Sequence, residues 1–137
     1  MQQVESIAAE RPRHAGDWDM ERTLQALKRP IPQSMLKIKK IQGNQIPYLP
    51  WHTVIDILNK YSPGWTWEIT RMHTSGDRLF LVGRLTLVTS EGTVYQEATG
   101  TEELTCSNYG DPSSNAESMA LRRAAAKFGL ALDLYKK

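Results

Sequence analysis

Alternating apolar and polar positions fill the middle of the chain, and a helical repeat closes it. In residues 65–70, Trp65, Trp67 and Ile69 share one face while Thr66, Glu68 and Thr70 share the other, the period-two pattern of a half-buried strand. Residues 78–89 put Leu79, Leu81, Leu85 and Leu87 on one face. Residues 93–105 put Val94, Ala98 and Leu104 on one face and Tyr95, Glu97, Thr99, Thr101 and Glu103 on the other. Gly76-Asp77 and Glu91-Gly92 are turn signals between these runs. Short hairpins keep sequence neighbours adjacent in space, so the three strands form an antiparallel meander.

Residues 113–132 carry the period of a helix. Ser114 is expected to cap it and Glu117, three residues on, to close a capping box. Ala120, Ala124, Phe128 and Ala131 or Leu132 then recur on one face. Alanine keeps that face thin, so the helix is expected across the concave side of the meander, its alanines against the leucines. The loop 107–112 leads into it.

Upstream, residues 1–16 are polar and without period, the mark of a flexible tail; residues 17–137 then form one domain. Asp17 is placed to cap a helix over 18–28, with Trp18, Leu24 and Leu27 on its apolar side and Pro30 and Pro32 ending it. In 35–41, Leu36 and Ile38 face one way and Lys37 and Lys39 the other, a strand with a basic outer face. Residues 42–45 turn the chain and 46–49 return it as a short hairpin. Pro50 suits the first turn of a helix over 51–61, whose buried side is Val54, Ile55, Leu58 and Tyr61 or Ile57. Pro63-Gly64 stops it. The order predicts an α+β fold: a twisted antiparallel β-meander with a β-β-β-α core, a short β-hairpin, and helices packed on the sheet.

Composition narrows the function. A chain of 137 residues with 40% hydrophobic and 23% charged residues suits one soluble domain. No apolar run spans a bilayer, and no secretory signal is visible; Glu5 and Glu10 are a poor match to a transit peptide. The single cysteine, Cys106, excludes an internal disulfide and fits a reducing, intracellular compartment, cytoplasmic or nucleoid-associated. His14, His52 and His73 lack metal-ligand spacing. Gly43, Gly64, Gly76 and Gly83 stand alone, so no phosphate-binding loop is present. Glu102 and Glu103 are adjacent on a strand and face opposite sides. Catalysis, metal and cofactor are therefore not expected. His52 reads as a structural hydrogen-bonder, since no Ser or Asp partner is spaced for a triad.

Charge is segregated although the formal net charge is only +2. Lys28, Arg29, Lys37, Lys39 and Lys40 fall in one stretch without an acid; residues 85–121 hold no Lys or Arg but include Glu91, Glu97, Glu102, Glu103, Asp111 and Glu117. Arg122, Arg123 and Lys127 then restore positive charge on the closing helix. Arg123 and Lys127 are one turn apart, and Arg122 lies about 100° round from Arg123. Such charges usually face water, and the Lys37/Lys39/Lys40 cluster also suits a guard on a strand edge. The tryptophans could stack on nucleobases, but their parity with Ile69 fits core packing.

These residues carry a resemblance. Residues 48–55 (Tyr-Leu-Pro-Trp-His-Thr-Val-Ile), then 64–69 (Gly-Trp-Thr-Trp-Glu-Ile), the meander, and 120–132 with their basic pair and Phe128-Gly129 are similar to the Rad-fifty-two family of single-strand annealing proteins. The likeness covers residues 21–137, in the same order of elements. It implies a homo-oligomeric ring of β-β-β-α units that holds single-stranded DNA in a positive groove and pairs it with a complementary strand without nucleotide hydrolysis. Carried over by residue, Arg122 and Arg123 match the basic pair of the groove-lining helix, and Lys37, Lys39 or Lys40 lie where the family has a basic residue before its hairpin. The family often has a further arginine one turn on; here that position is Ala126, with Lys127 beside it. The long interaction tail of eukaryotic members has no counterpart, so no recombinase or nuclease partner is implied.

Guanidinium groups on a rigid helix grip phosphates without reading bases. The expected function is ATP-independent binding and annealing of single-stranded DNA in homologous recombination and repair. The candidate contacts are Arg122, Arg123, Lys127, Lys37, Lys39 and Lys40. The alternatives are an oligomerisation module with a solvated basic face, or a small α+β enzyme without a recognisable motif.

Overall fold

The leucines of the central strand decide which face of the sheet is covered. A computed structural model describes residues 10–105 and 111–136. In chain order the elements are α1 (Met20–Leu27), β1 (Lys37–Ile41), β2 (Asn44–Tyr48), α2 (Trp51–Tyr61), β3 (Thr66–Ser75), β4 (Arg78–Thr89), β5 (Gly92–Glu103) and α3 (Pro112–Lys127); short 3-10 turns lie at Gln33–Met35 and Leu132–Tyr135. β3, β4 and β5 form an antiparallel meander in that order, and β1 and β2 a separate hairpin. The fold is α+β, with α3 packed on β4 and β5.

Leu79, Leu81, Leu85 and Leu87 are buried, as their alternation predicts. Leu79 and Leu81 pack with Ala116 and Ala120; Leu85 and Leu87 join Ala98, Leu121, Ala124, Phe128 and the inner faces of α1 and α2. Each fully buried leucine contributes about 1.5–3 kcal/mol relative to exposure. The thin alanine face lets α3 come down almost onto the sheet. A Cβ built on Gly100 of β5 would lie 1.8 Å from the Ala116 carbonyl oxygen, so backbone meets backbone there with no side-chain layer between. At its far end α3 reverses through Gly129, whose φ of +107° suits glycine, and Leu130 N–H donates to the Ala125 carbonyl.

The start of α3 differs from the capping-box expectation. Asp111, not Ser114, is the N-cap: its carboxylate accepts from the N–H groups of Ser113 and Ser114 at 3.0 and 3.3 Å. Pro112, with φ already fixed, starts the helix earlier than the box pattern implied. Hydrogen bonds from the Ser113 and Ser114 side chains hold the Asp111 carboxyl below the usual carboxylate range. Glu117 is engaged elsewhere, accepting from the Trp67 indole N–H at 2.8 Å. At α1 the cap is Asp19 rather than Asp17, and Asp17 instead accepts from the N–H groups of Arg13 and His14.

Trp65 and Trp67 are partly buried against the core, but Ile69 is 39% exposed. Ile69 keeps the face of Trp67, pairing with Gly83 in the register that pairs Trp67 with Leu85, and the register slips only after it; it lies on an edge strand of the sheet, so the right face is reached without full cover. Leu104 lies past the end of β5 and is exposed. Within the expected tail, residues 10–16 are described and Pro12 is buried. Residues 1–9, Cys106, residues 107–110 of the loop leading into α3, and Lys137 lie outside the described residues.

Candidate nucleic-acid interface

The β1–β2 hairpin is exposed at every position except Tyr48, which is half-buried. Its register pairs Lys37 with Tyr48 and Lys39 with Ile46. Cross-strand partners share a face and alternate residues repeat it, so Lys37, Lys39, Ile41, Ile46 and Tyr48 lie together. Lys40 lies on the opposite face.

That face looks toward α3. The Lys39 ammonium sits 4.9 Å from the Tyr48 ring centroid, and the Arg122 guanidinium carbon 5.3 Å from the same point. Arg122 is half-buried, and its Nε donates to the Ser118 carbonyl one turn back at 3.3 Å. Between hairpin and helix opens a cavity of about 290 Å³ with an apolar floor that includes Ile41, Ile46, Met119 and Leu134; its cationic members are Lys39, Arg122 and Arg123. None of its lining residues is acidic.

Arg123 and Lys127 point along a different line. β5 is an edge strand, and the Arg123 guanidinium donates to the Thr99 carbonyl at 3.2 Å while the Lys127 ammonium donates to the Glu97 carbonyl at 2.5 Å. Carbonyls two residues apart face the same side of a strand, so the two cations cover the open edge of β5. Arg123 also borders the cavity; Lys127 is not among its lining residues. Of the six basic residues singled out in the sequence, Lys39 and Arg122 are thus brought together, with Arg123 beside them. Lys127 sits on the sheet edge, and Lys37 and Lys40 stand exposed on the two faces of the hairpin.

Tyr48 is the site residue that sequence reasoning missed. Its signal lay in the strand register, which sets an aromatic ring diagonally opposite Lys39. The tryptophans are committed elsewhere: Trp65 Nε1 donates to the Asn59 side-chain oxygen at 2.7 Å and Trp67 Nε1 to Glu117.

Loss of water, then the Arg122 guanidinium, push the Lys39 ammonium below its usual value of 10.5, against a smaller opposing pull from Glu102. The charged form is therefore disfavoured on folding. Between the lowered value and 10.5 the unfolded chain holds a proton that the folded chain has released, so stability rises with pH in that window. Lys39→Met is expected to leave the melting temperature at neutral pH unchanged or raise it, and to abolish this alkaline rise. Thermal melts of parent and variant across pH check both, and a variant that melts earlier at neutral pH would contradict the strain assigned to Lys39.

Among the described residues no helix is long and apolar enough to cross a membrane. Residues 19–137 match the model of the Rad52/22 family of double-strand break repair proteins. The chain is 37% identical over 114 residues, 82% of its length, to the mitochondrial DNA repair RAD52-like protein 1 of Arabidopsis thaliana. It is also 37% identical over 89 residues, 64% of its length, to the chloroplastic DNA repair RAD52-like protein 2 of the same plant. It covers 65% and 45% of those two relatives, less than two thirds of each. A β-meander backed by a helix bearing a basic pair and ending in Phe128-Gly129, matched along nearly its whole length, places the chain in the Rad52/22 family of double-strand break repair proteins.

Proposed function

We propose that the chain grips single-stranded DNA by its phosphates in the groove between the β1–β2 hairpin and α3, and promotes annealing of complementary strands in homologous recombination and repair without nucleotide hydrolysis. The observation that carries this reading is the meeting of Lys39 and Arg122 on one aromatic ring, at a cavity with no acidic lining residue. Two cations beside each other at a lining without an acid suit a polyanion; Glu102 acts on Lys39 from outside that lining, and neither cation takes part in an ion pair among the described residues. Arg122 provides a planar fork held by its own helix; Lys39 provides a point charge. Arg123, and more weakly Lys37, Lys40 and Lys127, extend the positive field along the strand. Membership of a repair family agrees with a nucleic-acid ligand. A homo-oligomeric ring with head-to-tail contacts would repeat the groove and bury apolar residues the single chain leaves exposed, among them Ile38 and Met72. A reducing, nucleoid-associated setting suits this work.

Arg122→Ala is the test. The loss of a charge-assisted contact of about 1.5–3 kcal/mol is expected to weaken binding by about ten- to a hundredfold. It should also flatten the log–log salt slope by about 0.7 for each phosphate released and slow annealing of complementary oligonucleotides. A mobility-shift and annealing series over salt, with circular dichroism to confirm the fold, reads all three. A folded Arg122→Ala protein that binds and anneals like its parent at every salt concentration would remove the groove from the mechanism. Light scattering that shows a monomer at micromolar concentration would remove the ring.

A further inference from the structure

A second cavity, of about 260 Å³, opens between the end of α1, the turn that follows it, and α2, and takes no residue from the β1–β2 hairpin. Thr53, Asp56, Ile57, Lys60 and Tyr61 line it at three- and four-residue spacing, so one face of α2 makes one wall. Pro30 and Pro32, whose rings fix φ, hold Ile31 in another. Leu27 and Leu130, both buried, close the floor. Walls of this kind need little ordering when a partner arrives. The volume is below the roughly 300–1,000 Å³ of sites for small molecules and cofactors, and it suits one anchoring side chain.

The border of this apolar cavity is cationic. Arg29 and Lys60 are both exposed there, and each lies 5.3 Å from the Tyr61 ring centroid. Arg29 also donates to the Tyr61 hydroxyl at 3.2 Å. Asp56 is the one acid of the lining. It stands one turn before Lys60, yet none of the three takes part in an ion pair among the described residues. A basic or uncharged segment would leave the two cations unanswered. A phosphate backbone would answer them and leave the apolar floor unfilled. A bulky apolar side chain flanked by carboxylates meets both.

We propose that this cavity docks a second protein, seating a large apolar side chain of an acidic segment while the flanking carboxylates lie against Arg29 and Lys60. Leu130 lines this cavity and the cavity of the hairpin groove alike. A partner held here stands behind the groove and leaves Lys39, Arg122 and Arg123 free.

Two methionines separate the sites. Met35, 43% exposed, lines the docking cavity, and Met119 lines the groove, so one NMR spectrum of protein labelled in the methionine methyls reads both. The probe is the peptide acetyl-Glu-Glu-Leu-Phe-Glu-Glu-amide. It is expected to shift the Met35 methyl saturably and to leave Met119 in place. Exchanging the four glutamates for lysines, or Leu-Phe for Ala-Ala, should weaken binding by at least about tenfold. Lys60→Glu, at an exposed position that the fold does not depend on, should weaken the glutamate peptide as much. Oligothymidylate should not displace it. The proposal is overturned if Met35 shows no saturable shift, if Met119 moves instead, if the lysine peptide binds as well, or if Lys60→Glu binds like its parent. Displacement by oligothymidylate overturns it in favour of a nucleic-acid site. In the peptide-free protein, a Met35 position that changes with protein concentration overturns it in favour of a second copy of the chain. One that changes on removal of residues 1–9 overturns it in favour of the chain's own leading segment.

Discussion

A methyl group at Gly100 is expected to unseat α3. The added carbon would lie 1.8 Å from the Ala116 carbonyl oxygen, 2.7 Å from its carbon and 3.1 Å from the Ala120 nitrogen. All three are backbone atoms, so no side-chain rotation relieves the overlap. The helix must lift or the strand must bend, and either movement opens the contacts of Ala116 and Ala120 with Leu79 and Leu81. Overpacking ordinarily costs about 1–3 kcal/mol; against a rigid helix backbone we expect about 3 kcal/mol or more, a fall in melting temperature on the order of 10 °C. Gly100→Val should be worse. Thermal denaturation followed by circular dichroism reads the effect. A Gly100→Ala protein that melts with its parent would mean that α3 does not dock this closely, and would also unsettle the groove that α3 helps to form.

Trp67→Ala is expected to cost about 3–5 kcal/mol, the range for truncating a large aromatic core residue. Its indole bridges layers: the ring lies over Gly83 of β4, so close that a Cβ there would come within 2.1 Å of it. Its N–H donates to Glu117 of α3. Truncation leaves a void and strips a part-buried carboxylate of its donor. Trp67→Phe keeps most of the ring and loses the hydrogen bond, which is worth about 1 kcal/mol in net terms. Urea unfolding should therefore rank parent, Phe, then Ala. At temperatures where each is folded, affinity for single-stranded DNA should be the same in all three. A folded Trp67→Phe protein with selectively weakened binding would return the tryptophan to the role of a base-stacking platform.

The strands were legible because burial on one face writes a period of two, and nothing interrupts it in β4, where all four leucines face α3. The same rule gave the face of Ile69 but not its depth: Ile69 pairs with Gly83 in the register of Trp67, yet it lies on an edge strand and is 39% exposed. Parity marks a face, while how far a helix covers that face is settled by packing between elements distant in sequence. The cap of α3 was misplaced for a related reason. Ser114 and Glu117 satisfy a local spacing, but a proline two residues earlier can begin the helix on its own, and Glu117 has a partner from a distant strand. Arg122 and Arg123 are adjacent in sequence and so diverge on the helix; one turns to Tyr48 and the other to the Thr99 carbonyl. The sequence marked both as basic, but only the third dimension separates them. Tyr48 escaped notice because its neighbours come from β1 and α3, and no linear pattern joins the three.

The cover over β5 has a practical side. Lys127 reaches the Glu97 carbonyl with its ammonium, and an open strand edge is a template for addition of other chains. An amine-reactive dye or crosslinker that acylates Lys127 removes its charge and puts a bulky amide in place of the compact ammonium. Such labelling uncovers a length of hydrogen-bonding edge beside Arg123, in a molecule whose fold is otherwise intact. Preparations tagged through lysine should therefore clump on storage in proportion to modification at this one position. Reductive methylation, which keeps the charge and adds little bulk, should spare them. The choice of labelling chemistry thus decides whether an experiment on single molecules begins with the native particle or with its aggregates.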